Sequence, residues 1–149
     1  MKFSLRVVSV ERSLFEGDVE FLVANGSDGE LGVLAKHAPL MTILKPGPLR
    51  IQETIGGEEQ VLFVGGGFLE VLPDRVTVLA DVAEHADEIS LERAEEARRR
   101  AQELLQDAKS TQERVALQVA LQRALYRLKV VEVTRRRGHN RIQMPHSES

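Results

Sequence analysis

Cysteine is absent from the 149 residues, which excludes a disulfide framework, a thiolate metal site and a cysteine nucleophile. No apolar run approaches the ~20 residues that a membrane-spanning helix needs. The opening Met1-Lys2-Phe3-Ser4-Leu5-Arg6 alternates polar and apolar residues and lacks the continuous apolar core of a signal peptide. Other residue types are scarce in one part of the chain only. No glycine lies between Phe68 and Arg137, and no proline between Asp74 and Met144. Five of the six aromatic residues precede residue 88. Charge divides at the same place: residues 1–88 carry 7 basic and 15 acidic side chains, a net of −8, and residues 89–149 carry 13 and 8, a net of +5. The overall charge of −3 therefore describes neither part. A hydrophobic fraction of 42% suits a soluble globular chain rather than a disordered one. The length fits one domain, but the break in composition predicts two units of unequal kind.

The first unit reads as β. Phe3-Leu5-Val7, Val19-Phe21-Val23, Leu49-Ile51, Val61-Phe63 and Val76-Val78 alternate with period two, so each segment offers one face to a core and the other to water. Asn25-Gly26, Asp28-Gly29, Lys45-Pro46-Gly47-Pro48, Gly56-Gly57 and Pro73-Asp74 supply the turns. Strand signals at this spacing with no helix between them predict an antiparallel sandwich or barrel.

The second unit reads as two helices. Leu91, Ala94, Ala97, Ala101, Leu104, Leu105 and Ala108 recur at spacings of three and four. Ser110 and Glu113 fit the capping box of a new helix start. Leu117, Leu121, Ala124, Leu128 and Val131 then continue the helical period, basic Arg135-Arg136-Arg137 suits a last turn, and Gly138 suits a left-handed end. Helices over 91–108 and 111–137 with a short break between them predict an antiparallel hairpin. The expected division is a β unit over 1–86, a helical unit over 87–138 and a disordered polar tail over 139–149.

Candidate chemistry is sparse. Gly65-Gly66-Gly67 is followed by the strand-like Phe68-Leu69-Glu70-Val71, without the Lys-Ser/Thr and helix of a phosphate loop, so a tight strand junction is the better reading. His37, His85, His139 and His146 show no metal-ligand spacing, and His37 reads first as a loop residue. No nucleophile elbow or acid–base constellation is visible, and the chain reads as non-catalytic. The basic helices say more. Arg98-Arg99-Arg100 lie on the first helix, and Arg123 and Arg127, four apart, share a face of the second. A solvated charged face is the simplest account. Guanidinium groups of this kind also grip phosphates or an acidic protein surface, or track a nucleic-acid backbone. Against nucleic acid, Tyr126 alone offers a stacking ring here, and the acidic first unit repels polyanions.

Residues Gly29-Glu30-Leu31-Gly32-Val33-Leu34-Ala35-Lys36-His37-Ala38-Pro39-Leu40 resemble the signature loop of the epsilon subunit of F-type ATP synthases. Gly66-Gly67-Phe68-Leu69-Glu70-Val71 with Val76-Thr77-Val78-Leu79-Ala80 resembles that family's second signature. The similarity spans about residues 2–137. It implies a β-sandwich of about ten strands and a C-terminal antiparallel helical hairpin. It also implies a non-catalytic central-stalk subunit of a proton-translocating ATP synthase, coupling c-ring rotation to the catalytic head through the gamma subunit. The hairpin, folded on the sandwich, permits turnover; extended along gamma, it blocks ATP hydrolysis. By the same resemblance Glu30 and His37 contact the c-ring. Glu84, Ile89, Arg93, Ala94, Arg100, Arg123 and Arg127 match nucleotide-contacting positions, with Ser90 where an aspartate is expected, so ATP is at most a weak regulatory ligand and no cofactor is required. Arg114, Arg123, Arg127 and Lys129 match residues that meet the catalytic beta (and alpha) subunits. The location implied is peripheral, on the cytoplasmic face of a bacterial cell membrane, with a plastid thylakoid as the lesser alternative. A free-standing ATP sensor and a nucleic-acid-binding protein are the rival readings.

Overall fold

The computed structural model describes residues 1–143, the side chains of Val133 and of 135–143 excepted. Ten strands come first: β1 (Phe3–Ser9), β2 (Ser13–Val19), β3 (Phe21–Gly26), β4 (Gly29–Val33), β5 (Leu40–Leu44), β6 (Gly47–Gln52), β7 (Glu59–Val64), β8 (Gly67–Val71), β9 (Arg75–Ala80) and β10 (Ala83–His85). A 3-10 turn over Ala86–Glu88 leads to α1 (Leu91–Gln106) and α2 (Thr111–Gln143). The strands pair in the order β10-β7-β6-β3-β5-β8-β9-β1-β2, with β4 added to β3. The two end strands, β10 and β2, lie against each other, so the sheet folds round into a nearly closed sandwich. Every pair is antiparallel except β1 with β9.

The core follows the alternation where one face of a strand meets water. Phe3, Leu5 and Val7 of β1, Leu49 and Ile51 of β6, and Val76 and Val78 of β9 all point inward and are buried. The expected Val19-Phe21-Val23 pattern fails. The chain turns at Glu20, whose amide donates to the Gln52 carbonyl at 3.0 Å, and the phase flips. Leu22, Ala24 and Gly26 are therefore the buried residues of β3, while Phe21 and Val23 are half-buried. β7 departs in another way. Val61, Leu62, Phe63 and Val64 are all buried, because a helix covers the face that alternation would leave to water.

Gly67 is required by the close approach of β8 and β9. Its φ is +141°, and a Cβ there would collide with the Leu79 carbonyl. Beyond it, Ile43, Phe68 and Leu79 form a cross-strand row on the outer face of β5, β8 and β9, with Val8 of β1 next in register. Three of these are about half exposed, at 56%, 51% and 53%, and make an apolar row ~10 Å long at the usual strand spacing.

The hairpin starts as its capping residues dictate. Ser90 Oγ accepts from the Arg93 amide at 3.3 Å, and Ser110 Oγ accepts from the Glu113 amide at 3.1 Å. Glu113 reaches back to the Lys109 amide at 3.3 Å, one residue earlier than the standard capping box places it. Ala94 and Ala101 of α1 and Ala124 of α2 are buried, so small side chains let the helices approach closely. The second helix runs further than its sequence signals suggest. It passes through Gly138 to Gln143, so Gly138 is not its left-handed end and residues 139–143 are helical. One interior glycine costs ~1 kcal/mol, which a helix of 33 residues absorbs. The rest of the expected tail, 144–149, lies outside the described residues.

Candidate functional site

The face of the sandwich that receives α2 is built by register. Pro48 is opposite Phe63, Arg50 opposite Val61, and Glu84 opposite Phe63 on its other side. Directly opposed residues share a face, so these side chains line up beneath the helix. Val61 and Phe63 form a small apolar patch against Val130, with Tyr126, Ala86 and Ile89 at its edge. Arg50 is 3.3 Å from Glu30 and 3.9 Å from Glu59. Glu84 holds Arg127 of α2 through two hydrogen bonds, Nη2 to Oε1 at 3.0 Å and Nε to Oε2 at 3.3 Å. The same guanidinium lies 5.2 Å over the Phe63 ring, the residue paired with Glu84, so one cation answers both a carboxylate and a π face.

A second ion pair fixes the connector. Arg12, in the β1–β2 loop, donates to Glu88 of the 3-10 turn at 2.8 Å. This bond holds the Glu88 carboxyl below its usual range and raises the Arg12 guanidinium. The His85 imidazole is 4.0 Å from the same carboxylate. Elsewhere, the Ile55 amide, donating at 2.9 Å, holds the Glu20 carboxyl low, helped by the N-terminal amine.

The expected nucleotide residues are partly gathered. Glu84, Ile89, Arg93, Ala94 and Arg127 line one hollow between sandwich and hairpin, together with Arg12 and Ser90. Arg100 and Arg123 do not line it: Arg100 is exposed on α1, and Arg123 is half-buried with its Nε lacking a hydrogen-bond partner among the described residues. Ser90 directs its hydroxyl to the Arg93 amide. Within this hollow the Arg127 guanidinium is already bonded to the Glu84 carboxylate. Of the four residues expected to meet other subunits, Arg114 and Lys129 are exposed, Arg123 is half-buried, and Arg127 is turned into the junction.

Glu30 lies within β4, and His37 lies beyond its C-terminal end. Glu30 is the second residue of the strand, bonded to Arg50, and borders a small hollow shared with Tyr126 and Lys129. His37 follows the strand's end in the β4–β5 loop. There the Lys36 amide donates to the Pro73 carbonyl at 2.8 Å, Lys36 takes a φ of 64°, and His37 Nδ1 is 2.7 Å from the Ala38 carbonyl. The loop is thus pinned to the β8–β9 turn, and His37 within it is half-buried.

Sequence reasoning assigned no part in the junction to Phe63, Tyr126, Arg12 or Arg50, and did not see the outer row. One signal was available: four successive apolar residues at 61–64 mark a strand covered on both faces.

Two family models match the chain, the β-sandwich domain of the ATP synthase delta/epsilon chain over residues 2–86 and its long α-helix domain over 87–132. The ATP synthase epsilon chain of Laribacter hongkongensis is 47% identical over 91% of this chain and 96% of its own. That of Chromohalobacter salexigens is 43% identical over 93% and 98%. Among solved structures, a chain of the Euglena gracilis mitochondrial ATP synthase (OSCP/F1/c-ring) superposes with a TM-score of 0.75 over 89% of this chain and 81% of that one, at 23% identity, a likeness of fold.

Proposed function

The chain belongs to the epsilon-chain family of ATP synthases and so is a subunit of that complex, the premise from which we propose that it is a non-catalytic rotor subunit with a movable regulatory hairpin. In this reading the sandwich joins the gamma subunit to the c-ring, and the hairpin restrains ATP hydrolysis when it leaves the sandwich. The observation that carries the sandwich's part is the apolar row Ile43-Phe68-Leu79. A helix or loop of gamma laid across it removes from water three side chains that the lone chain leaves half exposed. Glu30 and His37 are the proposed ring contacts, Glu30 poised by Arg50 and His37 by the pinned loop.

The hairpin's docking is suited to reversal. Among the described residues, its buried apolar contact with the sandwich is the small cluster of Val61, Phe63 and Val130 with a half-buried rim. Arg114 and Lys129 are available to the beta subunits in the docked state, and Arg127 becomes available when the hairpin leaves. ATP remains a candidate weak ligand of the hollow, opposed by the Glu84–Arg127 pair and by Ser90 in the aspartate position. Attachment to the membrane is indirect, through the complex on its cytoplasmic face; among the described residues no helix is long and apolar enough to cross a bilayer.

Co-purification tests this reading. Wild-type chain is expected to co-migrate with gamma and the c-ring, and the double variant Ile43→Asp with Leu79→Asp to lose that association while its isolated thermal unfolding is retained. Association equal to wild type removes the row as the gamma surface. Calorimetry with ATP on the isolated chain tests the rival sensor reading, and heat release at micromolar nucleotide would favour it.

A further inference from the structure

Arg50 of β6 lies between two carboxylates that come from different strands. Its Nη2 donates to Glu30 Oε1 of β4 at 3.3 Å, and its Nε is 3.9 Å from Glu59 Oε1 of β7. Exposure rises along this line: the side chains of Glu59, Arg50 and Glu30 are 12%, 28% and 65% exposed. Register accounts for the reach. Arg50 is opposite Val61 on β7 and opposite Val23 on β3, and Val23 is in turn opposite Gly32 on β4. Glu59 stands two residues before Val61, and Glu30 two before Gly32, so all three charged side chains share the outer face. Gly32 adds no side chain to the row that Arg50 crosses. Among the described residues β4 is paired with β3 alone, so it is an edge strand, and the bond from Arg50 ties it a second time, across β3, to the middle of the sheet.

We propose that Glu59 and Arg50 are positioning residues for the Glu30 contact. The mostly buried carboxylate fixes the guanidinium, and the guanidinium fixes the exposed carboxylate that a partner meets. The inference deepens, and rests on, the reading that Glu30 is a ring contact. A glutamate on an edge strand with no such hold gives up its rotamer freedom when a partner binds. Held by Arg50, Glu30 has given up part of that freedom beforehand, so the contact is preorganised. The planar fork suits this task, because its nitrogens address Glu59 and Glu30 from different sides while the guanidinium keeps one orientation. The charge order matters as well. Glu59 offsets Arg50, so the line carries one net negative charge and its exposed end stays acidic. The group that it fits on the ring is therefore a hydrogen-bond donor, neutral or cationic.

Binding of the full-length chain to a complex of gamma and the c-ring, titrated for each variant, tests the proposal through double-mutant cycles. Glu30→Gln is expected to weaken binding about fivefold, the upper range for a contact made by an exposed charge. Arg50→Gln should weaken it about threefold, and Glu59→Gln about twofold, in the wild-type background. Neither should weaken it further in a chain that already carries Glu30→Gln. Arg50→Lys keeps the charge but not the fork and should recover only part of the loss. Thermal unfolding of each isolated variant is followed alongside, because a merely structural role lowers the midpoint and adds to Glu30→Gln instead of being absorbed by it. Lys129→Ala removes the other cation that borders the hollow of Glu30 and Arg50, and its effect should be the smaller. An effect equal to that of Arg50→Gln would show that nearby charge matters and position does not, which overturns the proposal. Losses that add in the cycle, or wild-type binding by Arg50→Gln beside weakened binding by Glu30→Gln, overturn the positioning role and leave Glu30 as a ring contact. Wild-type binding by Glu30→Gln removes the contact itself, and the positioning role with it.

Discussion

Val130→Ala weakens the docked hairpin at a point where the cost can be worked out. Val130 is 0% exposed and meets Val61 and Phe63, themselves 8% and 0% exposed. The change removes two methyl groups, about 1.6 kcal/mol of transfer free energy at ~0.8 kcal/mol per group. A residual cavity adds to this, because Phe63 belongs to a strand held by β6 and β10 and cannot follow the receding side chain. A total near 2 kcal/mol shifts the docked-to-released ratio about 30-fold toward release, at ~1.4 kcal/mol per factor of ten. Amide exchange of β7 in the isolated chain reads this ratio directly. In the assembled complex the direction is informative. If the docked hairpin permits turnover and the released one blocks it, Val130→Ala lowers ATP hydrolysis, whereas deletion of residues 89–149 raises it. Val119→Ala, at a site 42% exposed, is the control and should change neither reading. Two perturbations of one hairpin with opposite signs are hard to obtain from general destabilisation. A rise in hydrolysis with Val130→Ala, or an unchanged exchange ratio, would refute the reasoning.

Gly67→Ala forces a side chain into a left-handed backbone against the Leu79 carbonyl, so the sandwich should lose about 3 kcal/mol in denaturant unfolding; an unchanged midpoint counts against the strained junction. Ser90→Ala removes the cap of α1 and should cost about 1 kcal/mol of helix stability, seen as reduced protection of the first turn alone. Acid should loosen the Arg12–Glu88 pair. The Glu88 carboxyl is depressed by its bond from Arg12, so its folded value lies below the ordinary 4.5. Its contribution is therefore fully present above that value and lost as pH falls through the depressed one. Wild type and Glu88→Gln should differ in connector exchange at pH 6 and converge toward pH 3; a constant difference across that range would show that the pair is not responsible.

How far the residues foretell the fold depends on how local each cause is. β1, β6 and β9 were legible because each faces a core on one side and water on the other, and that condition appears in the strand itself. β7 was not legible in this way. Its second face is buried by Val130, roughly seventy positions along the chain, so no window around 61–64 contains the reason for its four apolar residues. The β3 error has a short-range cause: Val19, Phe21 and Val23 keep their spacing across a turn at Glu20, where the chain changes partner. The end of α2 shows the limit of single-residue signals. Gly138 is permitted to end a helix but not obliged to, and the helical residues on either side outweigh it.

The candidate site divides along the same line. The residue types could be read: arginines spaced for one face, a serine fit to cap, a loop with a histidine. Their partners could not, since Glu84 and Arg127 are 43 positions apart and Arg12 and Glu88 are 76 apart. The opposite net charges of the two parts point to attraction, but attraction between totals is diffuse and screened within ~10 Å at ordinary salt. Register turns it into a specific device. Glu84 lies under α2 because β10 pairs with β7 opposite Phe63, and Arg127 lies above it because Val130, three residues on, must cover the same ring-lined patch. The apolar contact thus sets the rotation of α2, and that rotation delivers the arginine to the carboxylate. Breaking the apolar contact should therefore loosen the ion pair as well, while breaking the ion pair leaves the rotation of the docked helix intact. The two losses are coupled in one direction, because the apolar contact positions the helix and the ion pair depends on that position.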